Sequence, residues 1–330
     1  MTFLITGVAG FIGSSLAKKL CDQGKTVIGI DSLICGYESN LSWVKSHHKF
    51  TFYKSSMERG DLDKLVEKDQ TVIHLACISS LPANQENPSF SYTNNVSGMA
   101  ELLEVCRIKG VKHIIFSSTS AVYENTRVFP TNENVTIEPN LIYSLVKKHC
   151  EELIRSFHDI YGVPFTTLRF YNVYGVNQDS RRKNPALIPY ILNCFKNKVQ
   201  PILHSDGKQK RDYVFLEDVI ELIEKVIEKP LNTEINVCSG NAVSVEEIVS
   251  TIKNVMNVHD INPIYRDPSL LWEKSSKLWE GVFPFSKDRM IKEVEKYSLG
   301  DPSKAFELVN WKTRTTLEEG IRTICVSNYV

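Results

Sequence analysis

Over the first 120 residues, short runs of apolar and β-branched residues alternate with longer stretches whose apolar positions recur at helical spacing. The runs are Thr2–Thr6, Thr26–Asp31, Thr71–Ala76 and His113–Ser118, and each is nearly all apolar, as strands are when helices cover both faces. Such alternation predicts βαβ units, an α/β fold built on a doubly wound parallel sheet. Tyr92–Lys109 places Val96, Met99, Leu102, Leu103 and Cys106 on one helical face. A second long helix is predicted over Leu141–Tyr161, stopped by Gly162 and Pro164, with a further strand at Phe165–Phe170. Beyond Tyr174 the pattern loosens: Pro185, Pro189, Pro201 and Gly207 punctuate short segments, and 266–302 is rich in Trp, Lys, Pro and Gly without a clear period. The chain therefore divides into a first region, 1–166, and a smaller α/β region, 167–330, over the sheet's carboxyl edge. Tyr213–Lys229 and Glu234–Val237, within 212–237, are expected to return to the sheet.

Composition narrows the classes. A chain of 330 residues, 42% apolar and 24% charged, is neither a stapled miniprotein nor a disordered one. Lys plus Arg equals Asp plus Glu at 39 each, so no global basic field draws nucleic acid or anionic lipid, and neither is an expected partner. The eight cysteines form no C-x-x-C pair, which argues against a zinc ribbon or disulfide framework and for a reducing cytoplasm, with no metal site expected. Thr2–Leu20 is apolar but broken by three glycines, unlike a signal segment or membrane span.

Directly after the first predicted strand stands Gly7-Val8-Ala9-Gly10-Phe11-Ile12-Gly13, opening a helix. Glycines there permit a tight turn, close backbone approach to a pyrophosphate and close helix-to-strand packing, while the helix N-terminus offers positive potential. The spacing is G-x-x-G-x-x-G rather than the common G-x-G-x-x-G. Its context supports a Rossmann-type dinucleotide site, because Asp31 follows Gly13 by eighteen residues at the end of the second strand. An acid there accepts hydrogen bonds from a ribose 2′-OH and repels a 2′-phosphate, which favours NAD over NADP.

Of thirteen tyrosines only Tyr143 has a lysine four residues on, Lys147, and both project from one face of the predicted helix. A cation there is expected to lower the phenol's pKa from about 10 towards working pH, making it usable as a base. The strand running through Phe116 and Ser117 ends in the hydroxyls Ser118, Thr119 and Ser120 at the carboxyl edge, where ligands of open α/β sheets bind. Thr119 is placed to hydrogen-bond a substrate hydroxyl that Tyr143 deprotonates, and the combination is hydride-transfer chemistry.

These motifs, with His74-Leu75-Ala76, Asn95-Val96-Ser97-Gly98, the run Leu168 to Gly175, Asp206 to Val219 and Asn236 to Gly240, resemble the extended short-chain dehydrogenase/reductase family. The resemblance is to its nucleotide-sugar epimerase and dehydratase branch, UDP-glucose 4-epimerases in particular. It implies catalytic roles for Thr119, Tyr143 and Lys147, and NAD contacts from Gly7, Gly10, Phe11, Ile12, Gly13, Asp31, Ser32, Leu75, Ala76, Asn95 and Ser117. It also implies substrate contacts: Asn172 and Arg211 on the diphosphate, Leu187 and Ile188 along the base, and Arg266 as a candidate closing over the sugar. Arg181 and Arg182 are further cations that phosphates could meet, and the helices near 95–109 and 141–161 resemble the family's dimer-forming pair, implying a homodimer. Two departures stand out: Ser55-Ser56-Met57 where the family often has an acid near adenine, and 269–297, which does not follow the family pattern.

By the same resemblance, dehydratases of this family carry an Asp-Glu pair directly after the active-site threonine, whereas this chain has Ser120 and Ala121. Removing water from the sugar needs an extra acid and base; inverting C4 through a 4-keto sugar needs neither. The expectation is a NAD-dependent nucleotide-sugar 4-epimerase. The alternatives are a 4,6- or 5,6-dehydratase drawing on Cys77, Ser79, Ser80, Glu124 or His149, a 4-keto-sugar reductase, or a non-catalytic nucleotide-binding scaffold or sensor.

Overall fold

The computed structural model describes residues 1–180 and 182–327. Its centre is a seven-stranded, wholly parallel sheet. In chain order its strands are β1 (Thr2–Thr6), β2 (Thr26–Asp31), β3 (Phe50–Lys54), β4 (Thr71–His74), β5 (His113–Thr119) and β6 (Phe165–Phe170). After β7 (Asn172–Tyr174), β8 (Ile202–His204) and β9 (Lys210–Phe215), which lie outside it, β10 (Glu234–Val237) returns to pair with β6. The spatial order is β10-β6-β5-β4-β1-β2-β3, so connections leave β1 in both directions and open a crevice at its carboxyl end. β3 was not among the expected strands. It is an edge strand with three of five residues exposed, which is why Phe50-Thr51-Phe52-Tyr53-Lys54 shows no buried apolar run. β6 also runs through the boundary expected at 166, so the sheet region reaches Phe170 before the chain leaves it.

Helices cover both faces. On one side lie α1 (Phe11–Asp22) and, later in the chain, α8 (Leu216–Glu228), whose apolar faces meet around Leu16, Leu20, Leu222 and Ile223. On the other side follow α2 (Arg59–Leu65), α3 (Leu81–Glu86), α4 (Pro88–Tyr92), α5 (Gly98–Lys109) and α6 (Ile142–Tyr161). Met99, Leu102 and Cys106 of α5 and Cys150 and Ile154 of α6 pack there with Ile114, Phe116 and Phe165 of the sheet. Each such side chain is essentially fully buried, contributing about 1.5–3 kcal/mol for the larger ones. The helix expected over Tyr92–Lys109 is interrupted: a π turn at Thr93–Ser97 joins α4 to α5.

The smaller region contains α7 (Leu187–Lys196), the sheet β11-β9-β7 with β11 (Ala242–Ser244), helix α9 (Val245–Met256), and the pair β8-β12 with β12 (Ile264–Arg266). It has its own core of Ile191, Leu192, Phe195, Ile248 and Ile252, closed by α12 (Leu317–Val326). Between them α10 (Lys287–Val294) and α11 (Ser303–Val309) complete the helices. The stretch 268–286, within the part that showed no period, is short turns around Trp272 and Leu278, which pack with Met290 and Val294 of α10 and with Leu81 of α3. Among the described residues, no helix is long and apolar enough to cross a membrane.

Candidate active site

The site begins where β1 ends. The register pairs Thr6 with His74, so Gly7 meets Ala76, and its φ of +72° carries the chain into the left-handed region. A Cβ on Gly7 would lie 2.7 Å from Ala76 N, and one on Gly13 would lie 2.4 Å from Gly7 O. Neither position tolerates a side chain, which is the close turn and helix contact a phosphate cradle requires. α1 opens at Gly10 with no side-chain cap and no acid in its first turn, so its positive end faces the cleft unopposed. At the end of β2, Asp31 is 8% exposed; its Oδ2 accepts from Ala9 N at 2.9 Å and its Oδ1 from Leu33 N at 2.8 Å. Burial raises its pKa while those two amides pull it back, and each oxygen keeps a lone pair free for a ribose hydroxyl. These residues therefore fit a dinucleotide.

From this cradle a cleft of about 900 Å³ runs across the carboxyl edge to the smaller region. Gly10, Phe11, Ile12, Ser32, Leu75, Ala76 and Ser117 line its first part. Thr119, Tyr143 and Lys147 line its middle, and Asn172, Leu187, Ile188, Arg211 and Arg266 its far part. Thr119 is the last residue of β5, and its Oγ1 accepts from Ala121 N at 3.1 Å. Tyr143 and Lys147 stand one turn apart on α6. Lys147 is 3% exposed; its Nζ donates to Ser117 O at 2.6 Å and lies 4.9 Å from the centre of the Phe116 ring. Burial alone would depress its pKa, but Cys77, Tyr143 and Cys150 beside it together outweigh burial and raise it above the ordinary lysine value. His74, in contrast, is pushed down to about 3 by burial and by Lys147, so it stays neutral with Nδ1 2.7 Å from Thr6 Oγ1.

Tyr143 departs from expectation. Burial is the larger effect and raises its pKa above the ordinary value, while Lys147 and a hydrogen bond with Thr119 oppose that rise without reversing it. The lysine keeps the phenol from rising further, rather than bringing it below its reference.

A glycine cradle, an acid after β2 and a threonine, tyrosine and lysine at one cleft thus stand on one chain, and residues 4–324 match the family described as GDP-mannose 4,6 dehydratase. The chain belongs to that family. It is 31% identical over 97% of its length to a putative UDP-glucose 4-epimerase of Methanocaldococcus jannaschii, covering 96% of that protein. Among solved structures it superposes with a TM-score of 0.85 on a UDP-N-acetylglucosamine 4-epimerase from Methanobrevibacter ruminantium bound to UDP-N-acetylmuramic acid, at 28% identity over 99% of this chain and 98% of that one. A UDP-glucose 4-epimerase of Thermotoga maritima with UDP-glucose gives the same TM-score, at 29% identity over 98% and 97%.

Within this member of the GDP-mannose 4,6 dehydratase family, three sequence expectations change. Asn95 does not line the cleft: it is buried in the π turn, where its Oδ1 accepts from Ile78 N at 3.1 Å and shapes the wall from behind, while Asn94 lines the cleft. Glu124 is no spare acid, because its carboxylate accepts from Asn140 N, Leu141 N and Ser144 Oγ and pairs with Arg289. His149 lies outside the cleft against the Tyr92 ring. Arg211 lines the cleft but donates to the carbonyls of Glu293 and Val294, with Glu293 Oε1 3.6 Å from Nη1. Arg266 is exposed at the end of β12, and Asn172 Nδ2 donates to Asp212 O at 2.8 Å. Arg182 lines the cleft beside Asp179 at 3.4 Å, whereas Arg181 lies outside the described residues. The covering residues Leu271 and Trp272 were not anticipated; their only sequence signal was the Trp-rich composition of a stretch without period.

Proposed function

We propose that the chain is a NAD-dependent nucleotide-sugar 4-epimerase, acting on a UDP-hexose or UDP-N-acetylhexosamine through a 4-keto intermediate. The observation that carries this reading is the convergence of Thr119, Tyr143 and Lys147 on a cleft whose floor is a dinucleotide cradle, with Ser120 and Ala121 after Thr119. The epimerase names of relatives spanning nearly the whole chain support it. Gly7, Gly10, Phe11, Ile12, Gly13, Ser32, Leu75 and Ala76 would hold the cofactor with Asp31 on a ribose, and Asp31's charge would exclude a 2′-phosphate. Bound NAD supplies the acceptor for the C4 hydride. Tyr143 accepts the C4 hydroxyl proton, Thr119 orients that hydroxyl, and Lys147 opposes the rise in the phenol's pKa. Asn172, Leu187, Ile188, Arg211 and Arg266 take the nucleotide diphosphate and the sugar. The glutamate nearest this motif in sequence, Glu124, is occupied at the start of α6, which disfavours a dehydratase. Glu293, in the cleft, is engaged by Arg211.

Proton NMR of the purified protein with UDP-glucose, and separately with UDP-N-acetylglucosamine, tests the reading. The galacto epimer's anomeric signal without a C6 methyl doublet is expected; a methyl doublet or an exocyclic alkene signal would show loss of water and overturn it. Ile108 of α5 and Ile160 and Tyr161 of α6 are each more than half exposed, which supports a homodimer through these helices. Sedimentation at twice the 37.6 kDa chain mass is the expected result, and a monomer would contradict it. All eight cysteines are free thiols, which suits the cytoplasm.

A further inference from the structure

α6 opens with Leu141 at its N-cap, a side chain that cannot accept a hydrogen bond, so the amides of its first turn need partners from elsewhere. Gln85 of α3 supplies one, its Oε1 accepting from Ile142 N at 2.5 Å. Glu124, in the turn after β5, holds the chain entering the helix and one side chain of its first turn: Oε1 accepts from Asn140 N and from Leu141 N at 2.9 Å, and Oε2 accepts from Ser144 Oγ at 3.0 Å. Tyr143 lies between Ile142 and Ser144, so the turn that carries the phenol is fixed from outside the helix.

The Glu124 side chain is 1% exposed, and its charge is met by Arg289 Nη2 at 2.9 Å, while Arg289 Nε donates to Asn140 Oδ1 at 2.7 Å. Arg289 belongs to α10, in the segment whose Trp272 and Val294 cover the cleft. Its Nη1 lies 3.8 Å from Glu293 Oε2, and the other oxygen of Glu293 is 3.6 Å from Arg211 Nη1. Lys296 Nζ lies 4.0 Å from Glu293 Oε2, with burial lowering its pKa. Charges thus alternate without a break from the catalytic helix to the arginine in the far part of the cleft. A buried ion pair is weak evidence of stabilisation, because desolvation offsets much of the attraction. A pair that fixes geometry beside a reacting group has a different value, since productive placement is needed within about 0.5 Å.

We propose that Glu124 and Arg289 are positioning residues for Tyr143: they set the first turn of α6, and they do so only while α10 is seated, so that the covering segment and the base are placed together. This rests on the assignment of Tyr143 as the base. The test compares kcat with nucleotide affinity in the NAD-loaded holoenzyme for Arg289→Met, Arg289→Lys, Glu124→Gln and Tyr143→Phe, with UDP binding read by calorimetry. Arg289→Met is expected to lower kcat about 10- to 100-fold, as a displacement near 1 Å does, with a clearly smaller loss of UDP affinity, since Glu293 still holds Arg211. Arg289→Lys, which restores the charge, is expected to recover most of that loss. Should Arg289→Met fail to fold, Glu124→Gln carries the same expectation, since it removes the charge with little change of shape. A kcat within about threefold of the parent in the folded variants, or a fall matched by an equal loss of UDP affinity, would overturn the proposal. Tyr143→Phe separates the two readings: if it keeps its turnover, the base assignment has failed, whereas loss there with full turnover in the other variants overturns only the positioning role.

Discussion

At Tyr143 two effects of the same surroundings oppose each other. Burial disfavours the phenolate, Lys147 favours it, and burial is the larger, so the phenol sits above its reference value. The sequence showed the pair through its i, i+4 spacing but not the balance, because burial depends on what Phe170, Ser117 and the covering segment exclude, and none of that is local. The balance has a direction that can be measured. Lys147→Met removes the opposing charge, so the pKa of Tyr143 rises further and less phenolate is present at any given pH. The acid limb of log kcat/KM is expected to move to higher pH by about one unit or more, with activity near neutral pH down about 10²-fold. An unmoved limb would mean that another group sets it. The glycine cradle and Asp31 were fully legible, since their chemistry is backbone geometry and sequence spacing. Asn95 was not: its side chain turns into the wall to bond Ile78 N, a choice made by the π turn that no one-dimensional pattern records.

α6 has to be held at both ends and along its length for its second residue to serve as a base. Its middle is fixed by Glu151, whose carboxylate takes Arg169 of β6 in a forked pair, Nε to Oε1 at 3.1 Å and Nη2 to Oε2 at 2.7 Å, while also accepting from Ser118 Oγ. Both side chains are about 95% buried. Removing one partner strands the other's charge, so Arg169→Met is expected to lower unfolding free energy by about 3–5 kcal/mol, read from urea titration. Replacing Glu151 as well, with Arg169→Met/Glu151→Leu, is expected to recover part of that loss; equal losses in both would show that packing rather than charge is at issue. Strands buried on both faces and the long amphipathic helices were visible as pattern. β3 was not, because an edge strand carries no such run. The covering stretch 268–286 was not either, because its turns are held by Trp272 and Leu278 meeting Met290 of α10 across a chain that bends too often for any period.

For the whole molecule, the sheet's buried histidines set a pH dependence. His74 and His113 are each pushed down to about 3, burial being the main cause, against about 6.5 in the unfolded chain. Below 6.5 the unfolded state binds protons that the folded state refuses, so stability is complete above that pH and falls as pH drops towards 3. Each histidine contributes about 1.4 kcal/mol per unit in that window, so roughly 2–3 kcal/mol is expected to be lost between pH 7.5 and 5.5 in urea midpoints extrapolated to water. A flat profile would contradict their neutral burial.

The reaction itself is tested most directly by following one hydrogen. If Tyr143 and Lys147 serve a 4-epimerase, UDP-glucose deuterated at C4 should yield the galacto product with the deuterium still on C4, because the hydride removed from that carbon is returned to it on the other face. Deuterium found in a C6 methyl group would contradict the account, showing a dehydratase that draws its acid and base from residues other than those after Thr119.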